Sequence, residues 1–497
     1  MGIIQRDSFR ITLISYTGAI IGYLNKVFLF TNFLATEQVG LANLMVTLAM
    51  IYAQIAALGT HNITLRYLPF FKDRENNHHG FLTGMMALAM AGFLIFTLLL
   101  LFLRRPFVLF YHDSSPLLVE YAVYIIPMAL ATTYYLLFES YLRSLYKNIV
   151  PSVIHELGLR LLITLSILLF ALGLISFPGF VAIYVAANCL PAIILIAYTG
   201  LIRQLRIAAG IPAVVRKMGR LMLAYGLFSL LNNLGMFLLI SIDSLMVAGM
   251  IDLAATGIYT TMIFLGSVML IPYRSMVKVG GPVVARYWKE NDMDGMRVLY
   301  KKASAGNLVV GAALFTLLWV NLDSIFFFMP GQYEAGRYVF LLLALGKLFD
   351  MSAGLNGVIL LTSSKYRYDL WFTLSLVAFA LLSNLALIPV LGIQGAALAS
   401  MATLILFNLT RILFIRHHYR LQPFSSRQAW VLPIMAAVMG LSQGVPRMVH
   451  VFVDIPVRSL LALGLLLTPL YFLEISPDLN KMGRQYLDGL RQWFAKT

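Results

Sequence analysis

An all-α polytopic membrane protein with about 14 transmembrane helices is the fold class this sequence predicts. Three observations carry that expectation. Hydrophobic residues make up 60% of the 497-residue chain and charged residues only 12%, more apolar surface than a soluble domain can hide. The apolar residues fall in runs of ~20 or more, the length a helix rising ~1.5 Å per residue needs to cross ~30 Å of hydrocarbon. The short connectors between runs alternate in positive charge.

The first six runs lie near 9–34, 39–65, 81–103, 117–145, 152–175 and 178–202. Six more lie near 220–248, 254–276, 303–328, 337–363, 370–391 and 393–416, and two follow near 429–450 and 456–475. The chain repeats itself. Laying the seventh run on the first aligns Val39-Gly40-Leu41 with Thr256-Gly257-Ile258. Further on, Arg66-Tyr67 followed by Lys72-Asp73-Arg74-Glu75-Asn76 is echoed by Arg286-Tyr287 followed by Lys289-Glu290-Asn291-Asp292. The expected organisation is an N-terminal six-helix lobe over 1–205 and a pseudo-symmetric C-terminal six-helix lobe over 206–420. Two additional transmembrane helices occupy 421–475, and a cytoplasmic amphipathic tail occupies 476–497. Parallel repeats of this kind imply a pseudo-two-fold axis along the membrane normal, the arrangement of transporters whose halves rock around a site.

The net charge of +16 would suggest nucleic acid in a soluble protein. Here Lys and Arg collect in alternate connectors instead, from Arg66, Lys72 and Arg74 through Arg411, Arg416, Arg420 and Arg427 to Lys481 and Lys496. Only Arg104, Arg105, Arg337, Arg447 and Arg458 fall on the other side, and Lys26, Arg160 and Lys347 fall inside spans. Basic loops stay in the cytoplasm, so both termini are expected there, and nucleic acid is not an expected partner. The first run has no small-residue cleavage site and reads as a retained helix. The tail, with Leu479, Met482, Leu487, Leu490, Trp493 and Phe494 spaced among Lys481, Arg484 and Arg491, reads as an interfacial helix.

Several chemistries are disfavoured. Cys189 is the only cysteine, so neither a disulfide framework nor a thiolate metal site is expected. His78-His79 has no ligand-spaced partner, no Walker lysine motif occurs, and no connector is long enough for an appended catalytic domain. A non-enzyme without cofactor is the expectation.

Ile388-Pro389-Val390-Leu391-Gly392-Ile393-Gln394-Gly395-Ala396-Ala397-Leu398-Ala399-Ser400, following an Asn384-containing helix, resembles a recurrent pattern of the oligosaccharide-flippase branch of the multidrug/oligosaccharidyl-lipid/polysaccharide exporter superfamily. Tyr141-Leu142-Arg143-Ser144-Leu145 leading to Glu156 and Arg160, and Lys347-Leu348-Phe349-Asp350 through Asn356 to Tyr366, are similar to further stretches of that branch. The resemblance implies an alternating-access transporter of a bacterial inner membrane, passive or coupled to a proton or sodium ion. It would move an undecaprenyl-pyrophosphate-linked oligosaccharide to the periplasmic leaflet for surface polysaccharide or lipopolysaccharide assembly. Membrane lipids, a polysaccharide polymerase and glycosyltransferases are the partners it implies.

A hydrated, charged headgroup cannot cross hydrocarbon alone, so intramembrane polar groups are the candidate site. Lys26 sits inside the first span beside the small, polar face of Ser15, Gly18, Ala19, Gly22 and Tyr23, including a Gly-x-x-x-Gly that permits close helix approach. It reads either as a contact for pyrophosphate or sugar acid, or as a lysine snorkelling to the outer interface. Asp243, aligned with Lys26 by the glycines and with Asn232 on its face, reads as the partner of a closing pair, as a coupling-ion site, or as a local structural acid. Lys347 and Asp350 stand one turn apart and can neutralise each other; otherwise Lys347 becomes a phosphate ligand.

Glu139 with Arg143 and Glu156 with Arg160, both at i,i+4, form with His155 an expected inner-mouth network for structure or gating, or for recognition of the entering headgroup; Arg274 and Lys278 read either as further lining of that mouth or as basic residues explained by loop retention alone. Gln54, Asn188, Asn384, Gln394 and Asn408 read as helix-bridging amides or ligands. Two rival functions stand beside the flippase: a cation-coupled multidrug or small-molecule exporter, and a membrane polysaccharide polymerase or ligase, which would be expected to carry a large catalytic periplasmic loop.

Overall fold

The computed structural model describes residues 3–73, 77–205, 213–444, 450–481 and Gln485. They form helices, and no strand occurs among the described residues. In hydrocarbon every backbone polar group must be satisfied internally, by a helix or a closed barrel, and unbroken apolar runs of ~20 residues suit the helix rather than the alternating strands of a barrel. The chain divides into two compact units, Met1–Thr261 and Met262–Thr497.

In the first unit the helices are α1 (Ile3–Tyr23), α2 (Phe30–Phe33), α3 (Thr36–Ala56), α4 (Thr60–Tyr67), α5 (Phe81–Phe102) and α6 (Arg104–Tyr111). They continue with α7 (Pro116–Tyr121), α8 (Ile125–Ser144), α9 (Ile149–Val153), α10 (Leu159–Ala171), α11 (Phe177–Leu201) and α12 (Ala213–Met250). Helix α13 (Leu253–Ser267) runs past the division. The second unit holds α14 (Leu270–Glu290), α15 (Met293–Val320), α16 (Leu322–Phe327), α17 (Arg337–Ser352) and α18 (Asn356–Thr362). It ends with α19 (Arg367–Leu391), α20 (Ile393–Tyr419), α21 (Val431–Gln443) and α22 (Val451–Phe472).

Among the described residues 11 helices are long and apolar enough to cross a membrane, or 13 if each of two bent pairs is one span. The difference from the expected count has a local cause. The span expected near 429–450 is α21, only 13 residues long, and 445–449 lie outside the described residues. The runs near 254–276 and 337–363 are each broken by a bend of 52°. In the second, Gly354 (φ +66°) takes the left-handed conformation that ends α17. Most of the expected amphipathic tail also lies outside the described residues.

The two glycines that align the repeat meet each other. A Cβ on Gly40 would strike the carbonyl of Leu253, four residues before Gly257, and a Cβ on Gly257 would strike the carbonyl of Thr36, four residues before Gly40. Such reciprocity is what a local two-fold relation between α3 and α13 produces. The Gly18/Gly22 face also packs as expected: Gly18 lies against the backbone carbonyl of Glu156, and Gly22 against the Arg160 guanidinium. Around them the core of the first unit is aromatic, with Phe30 edge-on to Phe180 at 6.5 Å and Tyr52 stacked on Phe93 at 5.2 Å.

Candidate functional site

Lys26 does not sit in regular α-helix. Leu24–Leu29 forms a π-helical turn between α1 and α2, a local widening often found where a helix serves a function. Asn25, buried, anchors this turn to the fifth span. Its amide donates to the Arg160 carbonyl at 2.9 Å, and its Oδ1 accepts from Thr164 Oγ1 at 2.8 Å. The adjacent Lys26 ammonium donates to Asn43 Oδ1 on α3 and lies 4.4 Å from the Phe30 ring centroid, a cation–π contact. Asn43 Nδ2 in turn donates to Thr260 Oγ1 at 2.8 Å. Among the described residues Lys26 has no ion-pair partner; the Asn43 amide and the Phe30 ring are its contacts within the unit.

Asp243, in the same compact unit as Lys26, accepts from the Tyr259 hydroxyl at 3.3 Å. Lys26 turns to Asn43 and Asp243 to Tyr259. On α12 the partly buried Asn232 has a neighbour with a defined role, since Asn233 Nδ2 donates to His61 Nε2 at 3.1 Å. His61 is buried, with no partner at Nδ1. No local sequence pattern marks it, because its partner lies 172 residues away.

In the same unit both expected i,i+4 pairs form. Arg143 meets Glu139 and Arg160 meets Glu156, each at 2.6 Å. Glu156 lies in a second π-helical turn, Ile154–Gly158, where the His155 ring stacks on Tyr135 at 5.1 Å. A cleft of about 170 Å³ is lined by Ile11, Glu139, Arg143, Asn148, Pro151 and Ser152.

In the second unit, Lys347 and Asp350 do not neutralise each other. The Lys347 ammonium donates to the Ile263 carbonyl at 2.7 Å, toward the C-terminal end of α13, the end at which the helix dipole favours a cation. Asp350 accepts from Asn408 Nδ2 at 2.9 Å, and Asn408 Oδ1 accepts from Asn356 Nδ2 at 2.8 Å. The one-turn spacing made local pairing feasible, but better acceptors and donors stand on neighbouring helices. Arg411, counted among the topogenic basic residues, is instead buried. It grips Asp369 through Nε at 2.7 Å and Nη2 at 3.0 Å and covers the Phe407 ring at 3.8 Å. Arg274 is exposed on α14. Of the amides, Asn408 bridges helices, whereas Asn188 and Asn384 donate to carbonyls four residues back on their own helices. Among the described residues no cluster of three metal-ligating side chains occurs.

No family model matches the chain, and no curated protein matches it by sequence. Solved structures do. The lipid II flippase MurJ in an inward closed conformation superposes with a TM-score of 0.68, covering 92% of this chain and 97% of its own, at 13% identity. The chain has the MurJ fold. An inward-facing multidrug resistance MATE family transporter of the MOP superfamily follows at a TM-score of 0.58, covering 81% and 94% at 15% identity. An outward-facing one gives 0.52, covering 83% and 95% at 13% identity. The similarity spans nearly the whole of each neighbour and establishes the architecture: an all-α, multi-pass membrane protein.

Proposed function

We propose that this protein is an alternating-access flippase that moves a polyprenyl-pyrophosphate-linked oligosaccharide from the cytoplasmic to the periplasmic leaflet of a bacterial inner membrane, with both termini cytoplasmic. One observation carries the reading: each compact unit keeps an intramembrane lysine bound by neutral acceptors, Lys26 by Asn43 and Lys347 by the Ile263 carbonyl. A lysine at membrane depth costs ~2.5–3.5 kcal/mol on insertion scales. An amide or carbonyl partner satisfies its hydrogen bonds but leaves its charge uncompensated, which suits an anionic headgroup. The fold shared with a protein described as a lipid II flippase supports a lipid-linked substrate.

The remaining groups have consistent roles. Arg143 and Arg160, each tethered by a glutamate, stand where a cytoplasmic headgroup would enter. Asp243 and Asp350 are the candidates for a coupling proton or sodium ion. The same two acids, with the likeness to MATE transporters, support a second reading as a cation-coupled exporter of cationic small molecules.

The deciding experiment measures flipping in proteoliposomes with a fluorescent undecaprenyl-pyrophosphate oligosaccharide against a membrane-impermeant quencher. Protein-dependent loss of the protected fraction supports the flippase. A flat trace, with ion-driven uptake of cationic dyes by the same vesicles, establishes the exporter instead.

A further inference from the structure

Basic residues on the outer side are rare in this chain, because the insertion bias retains cations in the cytoplasm. Those present therefore call for a reason, and two have one. Arg337 is bound to Asp323, and Arg458 is paired with Asp454 at 2.8 Å; Arg447 lies outside the described residues. Arg104 and Arg105 differ: both are exposed, and among the described residues neither has an ion-pair partner. They open α6, eight residues that follow the membrane-spanning α5 after a single-residue break at Leu103.

The helix is fastened on one side. The Tyr111 hydroxyl donates to the Leu245 carbonyl at 3.2 Å, Phe110 packs on Gly249, and Ser115 just beyond donates to the Ala248 carbonyl at 2.7 Å. Elsewhere it presents Leu109, 78% exposed, together with Arg105, and Phe102 at the end of α5 is 85% exposed. Arg105 and Leu109 share a face of α6 by their i,i+4 spacing, and Phe102 is the last residue of α5, just before the break. Large apolar side chains beside unpaired guanidinium groups at the end of a span suit neither water nor hydrocarbon alone; they suit the boundary between them.

We propose that α6 is an outer-leaflet docking surface for anionic phospholipid headgroups: Arg104 and Arg105 bind the lipid phosphate, while Phe102 and Leu109 enter the acyl boundary. The side of the membrane rests on the topology given under Proposed function; the lipid preference does not. By this arrangement the first unit gathers anionic lipid at the surface where a flipped lipid would emerge.

The test places a fluorophore on Leu109→Cys in a Cys189→Ala background, in vesicles containing doxyl-labelled phosphatidylglycerol or doxyl-labelled phosphatidylcholine. Each cation contributes ~1 kcal/mol of attraction to an anionic surface, or about fivefold enrichment. Quenching by the anionic label should therefore exceed that by the zwitterionic label several-fold at low salt. The excess should vanish in Arg104→Gln/Arg105→Gln and persist in Arg104→Lys/Arg105→Lys. Equal quenching by both lipids, no quenching by either, or a preference surviving the glutamine pair overturns the proposal. Labelling of Leu109→Cys by an impermeant reagent only from the side of the termini overturns the outer-leaflet assignment and the topology, leaving the quenching ratio to judge the headgroup preference separately.

Discussion

The Lys347 ammonium reaches the Ile263 carbonyl at 2.7 Å rather than Asp350 on its own helix. The position that a Cβ on Gly266 would occupy lies 3.1 Å from Nζ, so the ammonium has a backbone acceptor on one side and a glycine floor on the other. Lys347→Met should slow flipping about ten- to hundredfold if it forfeits a charged contact of ~1.5–3 kcal/mol. Lys347→Arg should fail as well, because the guanidinium has no room above Gly266. Wild-type transport by Lys347→Met in proteoliposomes would remove this lysine from the site.

Lys26 predicts a different pattern. Its partner Asn43 is a side chain that can adjust, so Lys26→Arg should retain much of the transport while Lys26→Gln loses about ten- to hundredfold. Asn43→Ala leaves the charge in place and should cost far less than Lys26→Gln. The ranking is read from initial flipping rates at matched protein content; equal losses in Lys26→Gln and Asn43→Ala would make Lys26 a structural residue.

Gly18 and Gly22 should respond unequally to alanine. At Gly18 the added methyl meets the Glu156 backbone, which cannot move aside, whereas at Gly22 it meets the end of the Arg160 side chain. Overpacking at Gly18 should cost ~1–3 kcal/mol, and Gly22→Ala should cost less. Thermal unfolding in detergent reports the order, and a more stable Gly18→Ala protein would contradict it.

The Asp369–Arg411 pair is buried on both sides. Asp369→Ala strands a guanidinium and should destabilise the second unit by ~3–5 kcal/mol. Asp369→Leu combined with Arg411→Met should recover most of that loss, since an apolar pair leaves no charge uncompensated. The melting temperatures of the single and double variants decide, and a double variant no more stable than Asp369→Ala refutes the argument.

Topology is checked by single cysteines in a Cys189→Ala background. Ser176→Cys and Gly331→Cys should react with an impermeant thiol reagent from outside intact cells. Ser425→Cys and Asn291→Cys, in basic connectors, should not. All four positions are exposed, so an inverted pattern would reverse the assigned orientation.

What the sequence alone determined follows from interactions local to one helix or imposed by the bilayer. The apolar runs read as helices, because hydrocarbon offers no partner for a free backbone group and runs of ~20 residues lack the short alternating pattern of barrel strands. Glu139–Arg143 and Glu156–Arg160 were legible because residues at i,i+4 share a face, and Gly18/Gly22 because small residues on one face invite a close neighbour. The aligned Gly40 and Gly257 were visible too, although not that they touch.

What only the tertiary structure decided depends on which helices become neighbours. Asp369 and Arg411 are 42 residues apart, Lys347 and Ile263 are 84 apart, and Asn43 and Thr260 are 217 apart. No periodicity along the chain encodes such pairs. The competition that Asn408 wins over Lys347 for Asp350, and the π-helical turn that carries Lys26, were settled by packing: a buried polar group takes the partner that the assembled helices bring within hydrogen-bond distance.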